Sequence, residues 1–259
     1  MTSQQKWVAF CTIVRKEVVR FMRIWTQTLL PPAITMSLYF VVFGVLLGER
    51  IQKIGEFSYI EFIVPGLIMM SVITNSFSNV ASSFFSSKFQ RSVEELLVSP
   101  VPDWLIISAY VVGGASRGIL VGCVVLLVSL FFTHLSVHSL PLIFLFLALT
   151  ALTFATAGFT NGMLARKFDD IAIVPTFILT PLTYFGGVFY SIKLLPGIWP
   201  TVSKFNPILY MVNGLRFGFL GAGASDVAWP TGVVILGIFM VVLFSLNLYL
   251  MKKGHGLRS

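Results

Sequence analysis

GILVGCVVLLVSLFFTHLSVHSLPLIFLFLALTALTFATAGFTNGMLA, residues 118–165, holds no Asp, Glu, Lys or Arg in forty-eight positions. A hydrocarbon core of about 30 Å is crossed by about 20 residues of α-helix, so this stretch is long enough to cross twice. Its middle, THLSVHSLP at 133–141, gathers two His, two Ser and a Pro into a polar turn and divides it into two helices.

Outward from there, four further charge-free runs, Ile24–Gly48, Phe62–Ser87, Ile171–Ile192 and Val227–Met251, hold one span each. The six expected spans are Gln27–Leu47, Tyr59–Ala81, Leu105–Phe131, Leu142–Leu164, Ile171–Tyr190 and Thr231–Met251. Backbone groups in lipid must be satisfied within their own segment, which makes these helices. Uniform apolarity excludes barrel strands, which alternate over about ten residues. Composition agrees. Residues are 56% hydrophobic and 11% charged, mean hydropathy is +0.90, and soluble domains carry roughly a quarter charged residues. The expected fold class is an all-α membrane protein.

Orientation follows from the basic residues. With both termini in the cytoplasm, twelve of the eighteen lie inside: Lys6, Arg15, Lys16, Arg20, Arg23, Lys88, Arg91, Arg166, Lys167, Lys252, Lys253 and Arg258. Five lie outside (Arg50, Lys53, Lys193, Lys204, Arg216) and Arg117 falls within a span. This bias is the positive-inside pattern. It places Ser92 and Ser259 inside and Ser136 and Ser203 outside. The net charge of +8 then answers to anionic lipid at the inner face and calls for no nucleic acid. Cys11, before the first span, and Cys123, inside the third, form no disulfide framework and read as small apolar fillers. The N-terminus does not read as a cleavable signal, because charge interrupts its first apolar stretch and a full span follows.

Residues 1–25 are expected to form an amphipathic helix in the inner interface. Trp7, Phe10, Cys11, Val14, Val18, Phe21, Met22 and Trp25 recur at helical spacing, with Arg15, Lys16, Arg20 and Arg23 opposite. It is a membrane anchor, or a lever joined to the first span through Pro31-Pro32. In the first inside loop, Ser92 and Glu95 have the spacing of a capping box. Glu94 and Glu95 suit a helix N-terminus, Leu96 and Leu97 form an apolar edge, and Pro100 and Pro102 end the helix. A short helix there is a connector or a docking surface for a soluble partner. Residues 191–226 are cut by Pro196, Pro200 and Pro207 into short outer pieces. Ile208–Leu220 is too short to span and reads as interfacial or re-entrant. The domain layout is thus 1–25, a six-span body at 26–251, and an inside tail at 252–259.

Arg117 stands twelve residues beyond Leu105, about 18 Å along a helix. A central Arg costs at least ~2.5 kcal/mol unless satisfied. It therefore faces the bundle interior or a wet cavity, bonded to carbonyls or to Asn75 and Asn79, or touching a solute. Pro65-Gly66 in span two, and Pro175, Pro181 and Gly186-Gly187 in span five, are kink sites. With Asn75, Asn79, Thr180 and Tyr184 they line a pathway or simply pack.

His134 and His138 are isolated in a turn without an acid, HExxH and CxxC are absent, and no phosphate-binding loop occurs. An ion-coupled transporter would ordinarily carry intramembrane acids. None occurs in 62–87, 104–166 or 171–188. The chain is therefore read as no enzyme, and energy for uphill transport would come from a separate ATPase chain.

Several long stretches carry a resemblance: RFMRIW (20–25), FIVPGLIMMSVITN (62–75), NVASSFF (79–85) with KFQRSVEELLVSPVP (88–102), FDDIAIVPTFILTPLTYFGGVFYS (168–191), FNPILYMVNGLRFGFLG (205–221) and the ending GLRS. Through them the chain resembles the permeases of ABC type-2 transporters nearly end to end. The resemblance implies a coupling helix at about 90–97, with Gln90, Arg91, Ser92, Glu94, Glu95, Leu96 and Leu97 facing the ATPase. It implies outer re-entrant helices near 194–220, and a homodimer in the bacterial inner membrane working with two separate ATPase chains. ATP and magnesium are then held by that ATPase and no cofactor by this chain. The implied function is ATP-driven export by alternating access of a lipid, glycoconjugate or amphipathic drug-like solute. The alternative from another class is a non-transporting scaffold or lipid-binding partner, and solute-stimulated ATP hydrolysis separates the two.

Overall fold

The computed structural model describes residues 1–51, 53–254 and 256; Arg258 and Ser259 of the tail lie outside the described residues. Six helices among those described are long and apolar enough to cross a membrane. In chain order, α1 is Ser3–Arg23, and α2 is Trp25–Tyr39, prolonged by a π-helical segment at Phe40–Leu46. A short α3 (Gly48–Ile51) precedes a hairpin of β1 (Lys53–Ile54) and β2 (Phe57–Ser58). Then come α4 (Tyr59–Phe89), α5 (Ser92–Val98), α6 (Asp103–Ser129) and α7 (Leu140–Leu164). The fifth span is composite: α8 (Phe168–Val174), a π segment at Pro175–Leu179, and α9 (Thr180–Phe185). After a 3₁₀ turn follow α10 (Trp199–Lys204), α11 (Pro207–Leu220), a second 3₁₀ turn and α12 (Trp229–Lys253).

α4 is the central helix. It opens on a capping box, Ser58 Oγ accepting from the Glu61 amide and the Glu61 carboxylate from the Ser58 amide. It ends eight residues beyond the expected Ala81. Lipid gives helices no hydrophobic reason to associate, so close packing of small residues must hold them. α6 supplies Gly114, Gly118 and Gly122 against Val80, Ser76 and Val72 of α4, and a Cβ on Gly118 would fall 1.8 Å from Ser76 Oγ. α7 sets Gly158 and Gly162 on the α4 carbonyls of Phe77 and Ala81, at 2.3 and 2.7 Å from a would-be Cβ. Spans one, five and six lie outside this trio, with little of each helix buried.

Several expectations are corrected. Pro65-Gly66, expected as a kink site, lies within continuous α4, and Gly66 allows a close approach to the Val188 carbonyl. Pro31-Pro32 lies within continuous α2, and the break from α1 is at Ile24 (φ −112°, ψ 38°). Pro175 widens span five into its π segment. Lacking an N–H, it cannot serve the Ile171 carbonyl, which accepts from Asn161 Nδ2 at 3.1 Å instead. That span stops at Phe185, not Tyr190, since Gly187 turns left-handed (φ 72°). The hairpin around Gly55 (φ 64°) is absent from an all-helical reading. Cys11 and Cys123 are free and exposed, so neither fills a core.

α1 turns only part of its apolar face to the bundle, where Phe10, Val14 and Phe21 pack on the core. Ile13, Glu17 and Phe21 are buried, whereas Trp7, Cys11, Met22 and Trp25 of the expected face point outward. Gly113 of α6 allows this approach, for a Cβ there would meet the Glu17 side chain at 2.5 Å. α11 is buried on nearly every side, which favours the re-entrant over the interfacial reading. Arg216, counted above as an outer charge, is fully buried, and Ser203 is buried too.

Candidate functional site

α5 sits at the end of α4 through a two-residue joint. Gln90 closes α4, and Arg91 takes a left-handed conformation (φ 60°), costly for a residue with a Cβ. The expected capping box does not form. Ser92 is the first residue inside the helix, and its Oγ donates to the Ser87 carbonyl at 3.1 Å. Because α4 runs directly into the turn, Arg91 occupies the cap position and leaves Ser92 no extended backbone from which to bond Glu95. The apolar edge also shifts by one residue. Leu96 packs against the core, whereas Leu97 is exposed and Val98 is 87% exposed. Val93, buried, pins the helix to the bundle, while Glu94 and Glu95 face outward.

Further along α4, two to four turns before its end, lies a polar cluster joining α1, α4 and α6. Glu17, fully buried, accepts from Arg20 (3.1 and 3.3 Å) and from Ser83 Oγ (2.8 Å). Arg20 also donates to Asn79 Oδ1 at 2.7 Å. Arg117 reaches the same oxygen at 3.3 Å and Asn75 Oδ1 at 3.3 Å. Asn75, Asn79 and Arg117 are therefore together, as their spacing suggests. α1 crosses α6 at Gly113, four residues and about 6 Å of helical rise before Arg117.

Thr180 and Tyr184 are elsewhere. Thr180 Oγ1 donates to the Pro175 carbonyl of the π segment at 2.9 Å, and the Tyr184 hydroxyl lies 3.3 Å from that of Tyr39 on α2. Both are exposed, so the five intramembrane candidates form two separate groups.

Three buried polar groups escape a sequence reading. Glu17 hides in a helix whose charges look solvated. Arg216 lies 3.7 Å from the Phe62 ring centroid and donates to the carbonyls of Phe62 (3.2 Å), Gly187 (2.8 Å) and Val188 (3.4 Å). Asp226 accepts from Ser191 Oγ and the Ile192 amide, tying the outer segment together. The available signal for Arg216 is its isolation in an apolar stretch. The sequence reading, which finds no nucleophile motif, passes over Gly114-Ala115-Ser116-Arg117-Gly118, which has the G-x-S-x-G spacing of a nucleophile elbow. It lies mid-helix, however, and Ser116 Oγ is spent on the Gly113 carbonyl at 2.7 Å.

Comparison with known proteins matches residues 8–220 to the ABC-2 type transporter family. The chain is similar to the inner membrane transport permease YadH of Escherichia coli (strain K12), 56% identical over 253 residues covering 98% of each chain. It is also similar to nodulation protein J of Rhizobium leguminosarum bv. trifolii, 24% identical over 248 residues, 95% of this chain and 93% of that one.

Proposed function

The chain belongs to the ABC-2 type transporter family as a permease subunit, and on that premise we propose that it is the membrane half of an ATP-driven exporter of the inner membrane. It works as a homodimer with two copies of a separate ABC ATPase, which holds the ATP and magnesium. ATP-driven closure of the ATPases shifts the permeases between inward and outward access. The solute is a lipid, glycoconjugate or amphipathic drug-like molecule. The chain itself performs no catalysis.

The observation that carries this reading is α5. It is a short helix anchored by Val93, displaying Leu97, Val98, Glu94 and Glu95 at the end of the central helix. Its exposed apolar pair fits a socket on a soluble partner, and its acids suit basic groups around that socket. Of the residues expected to face the ATPase, Gln90, Arg91, Glu94, Glu95 and Leu97 are exposed, whereas Ser92 and Leu96 are half-buried. The contact surface we assign therefore replaces Leu96 with Val98. The positive-inside count, which puts this end in the cytoplasm, supports the assignment.

The test is co-purification with the cognate ATPase and solute-stimulated ATP hydrolysis in liposomes. Apolar anchors at an interface are worth ~2 kcal/mol or more, roughly a thirtyfold loss of affinity. Leu97→Ala with Val98→Ala is expected to insert normally yet lose recruitment on that scale. Glu94→Ala, an exposed charge worth ~0–1 kcal/mol, stays close to wild type. Normal recruitment and hydrolysis by the double variant would make α5 a mere connector.

A further inference from the structure

Between α2 and α4 lies a cleft of about 380 Å³, reached from α6 by Arg117 alone. Its polar wall is under-used. Ser71, only 2% exposed, and Arg117 Nε are buried without a hydrogen-bond partner among the described residues. Gln27, Thr35 and Ser78 bring further side-chain donors to the same wall, while Pro32 and Met70 make the other part apolar. Arg117 also lacks a counter-ion. The Glu17 carboxylate is taken by Arg20 and Ser83, and Arg117 enters no ion pair among the described residues. Its two bonds go to neutral amide oxygens at 3.3 Å, near the long limit for such contacts. Two guanidiniums against one carboxylate leave one formal positive charge in the cluster. A guanidinium with free donors, beside unpaired hydroxyls, is the chemistry that recognises phosphate.

We infer that this cleft takes the phosphate of an amphipathic ligand's headgroup, with Arg117 as its charge partner and Ser71 as a hydroxyl donor. The volume is near the low end of ligand pockets, about 300–1,000 Å³. It has room for a headgroup, and acyl chains must leave it past the prolines and methionines. That the bound amphipath is also the one carried rests on the transport reading above; the binding itself does not.

The test is equilibrium binding of phosphatidic acid and of diacylglycerol with the same acyl chains. It is measured by native mass spectrometry on the purified full-length permease without its ATPase. Phosphatidic acid is expected to bind at least about tenfold more tightly, the scale of one good charge-assisted contact. Arg117→Leu removes that preference and Arg117→Lys keeps part of it. Ser71→Ala, which leaves the charges and the fold untouched, weakens it severalfold. Displacement by millimolar inorganic phosphate would identify a site that reads phosphate alone; resistance to it identifies a headgroup held with its chains. Equal binding of the two lipids overturns the proposal. So does a preference that survives in Arg117→Leu, which would belong to the exposed Arg15, Lys16 and Arg23 of α1. Because the assay omits the ATPase, its failure leaves the role of α5 standing, and failure of ATPase recruitment leaves this site standing.

Discussion

Glu17→Gln changes one atom type and removes the sole carboxylate of the α1–α4–α6 cluster. Ser83 still finds an oxygen acceptor, so the loss is the charge that faces Arg20 at 3.1 Å. Breaking a fully buried pair costs about 3–5 kcal/mol. Here the Glu17 side chain is 1% exposed but that of Arg20 is 33% exposed, which lets water compensate part of the loss. We expect about 2–3 kcal/mol. At ~2–4 °C per kcal/mol for a chain of this size, the midpoint falls by roughly 4–12 °C. Thermal unfolding in detergent, followed by tryptophan fluorescence, reads this directly. A double-mutant cycle with Arg20→Gln isolates the pair, because once either charge is gone, removing the other costs less. The coupling should exceed ~1 kcal/mol. Single-variant losses that add within ~0.5 kcal/mol, the behaviour of independent sites, would show that the two residues do not form the latch described.

Arg216→Leu strands the backbone carbonyls of Gly187 and Val188 in the core, while that of Phe62 keeps its bond within α4. At about 1–3 kcal/mol per orphaned group it should abolish a monodisperse folded species on size-exclusion chromatography, and Arg216→Lys, with one point of attachment, should recover little. Gly118→Val should be similarly damaging, since its Cβ lands on Ser76. Gly237→Ala on α12 meets nothing within 4 Å and should raise thermal stability slightly, by up to ~1 kcal/mol. For topology, Ser136→Cys and Val98→Cys, both exposed, are placed in a background lacking Cys11 and Cys123. An impermeant thiol reagent on intact cells should label the first and spare the second; the reverse pattern would invert the orientation.

The spans were legible because hydropathy over twenty residues averages away local detail. The pairing of Arg117 with Asn75 and Asn79 was legible too, since two amides at i and i+4 on one helix invite one guanidinium. What hydropathy cannot register is direction. An Arg in an apolar stretch reads the same whether the stretch lies under solvent or folds back into protein, so Arg216 was placed outside. Ser92-x-x-Glu95 has the spacing of a cap, but a cap also needs extended backbone before it. With α4 continuing to Phe89, that condition failed. The glycines at 114, 118 and 122 and at 158 and 162 were visible as four-residue steps, yet only the structure shows that both sets grip the same helix.

The thirty-one residues of α4 span about 46 Å, half as long again as a hydrocarbon core of about 30 Å. The excess acts as an overhanging beam. Asn75, beside Arg117, stands fourteen residues from Phe89, an arm of about 21 Å ending at the joint with α5. If the beam stays straight, a push of about 4 Å at α5 tilts it by about 10° and re-aims Asn75 and Asn79 against Arg117. The glycine contacts on both flanks fall on α4 between Val72 and Ala81 and limit bending there, so a force at the α5 end would reach Asn75 and Asn79 as rotation, not as melting.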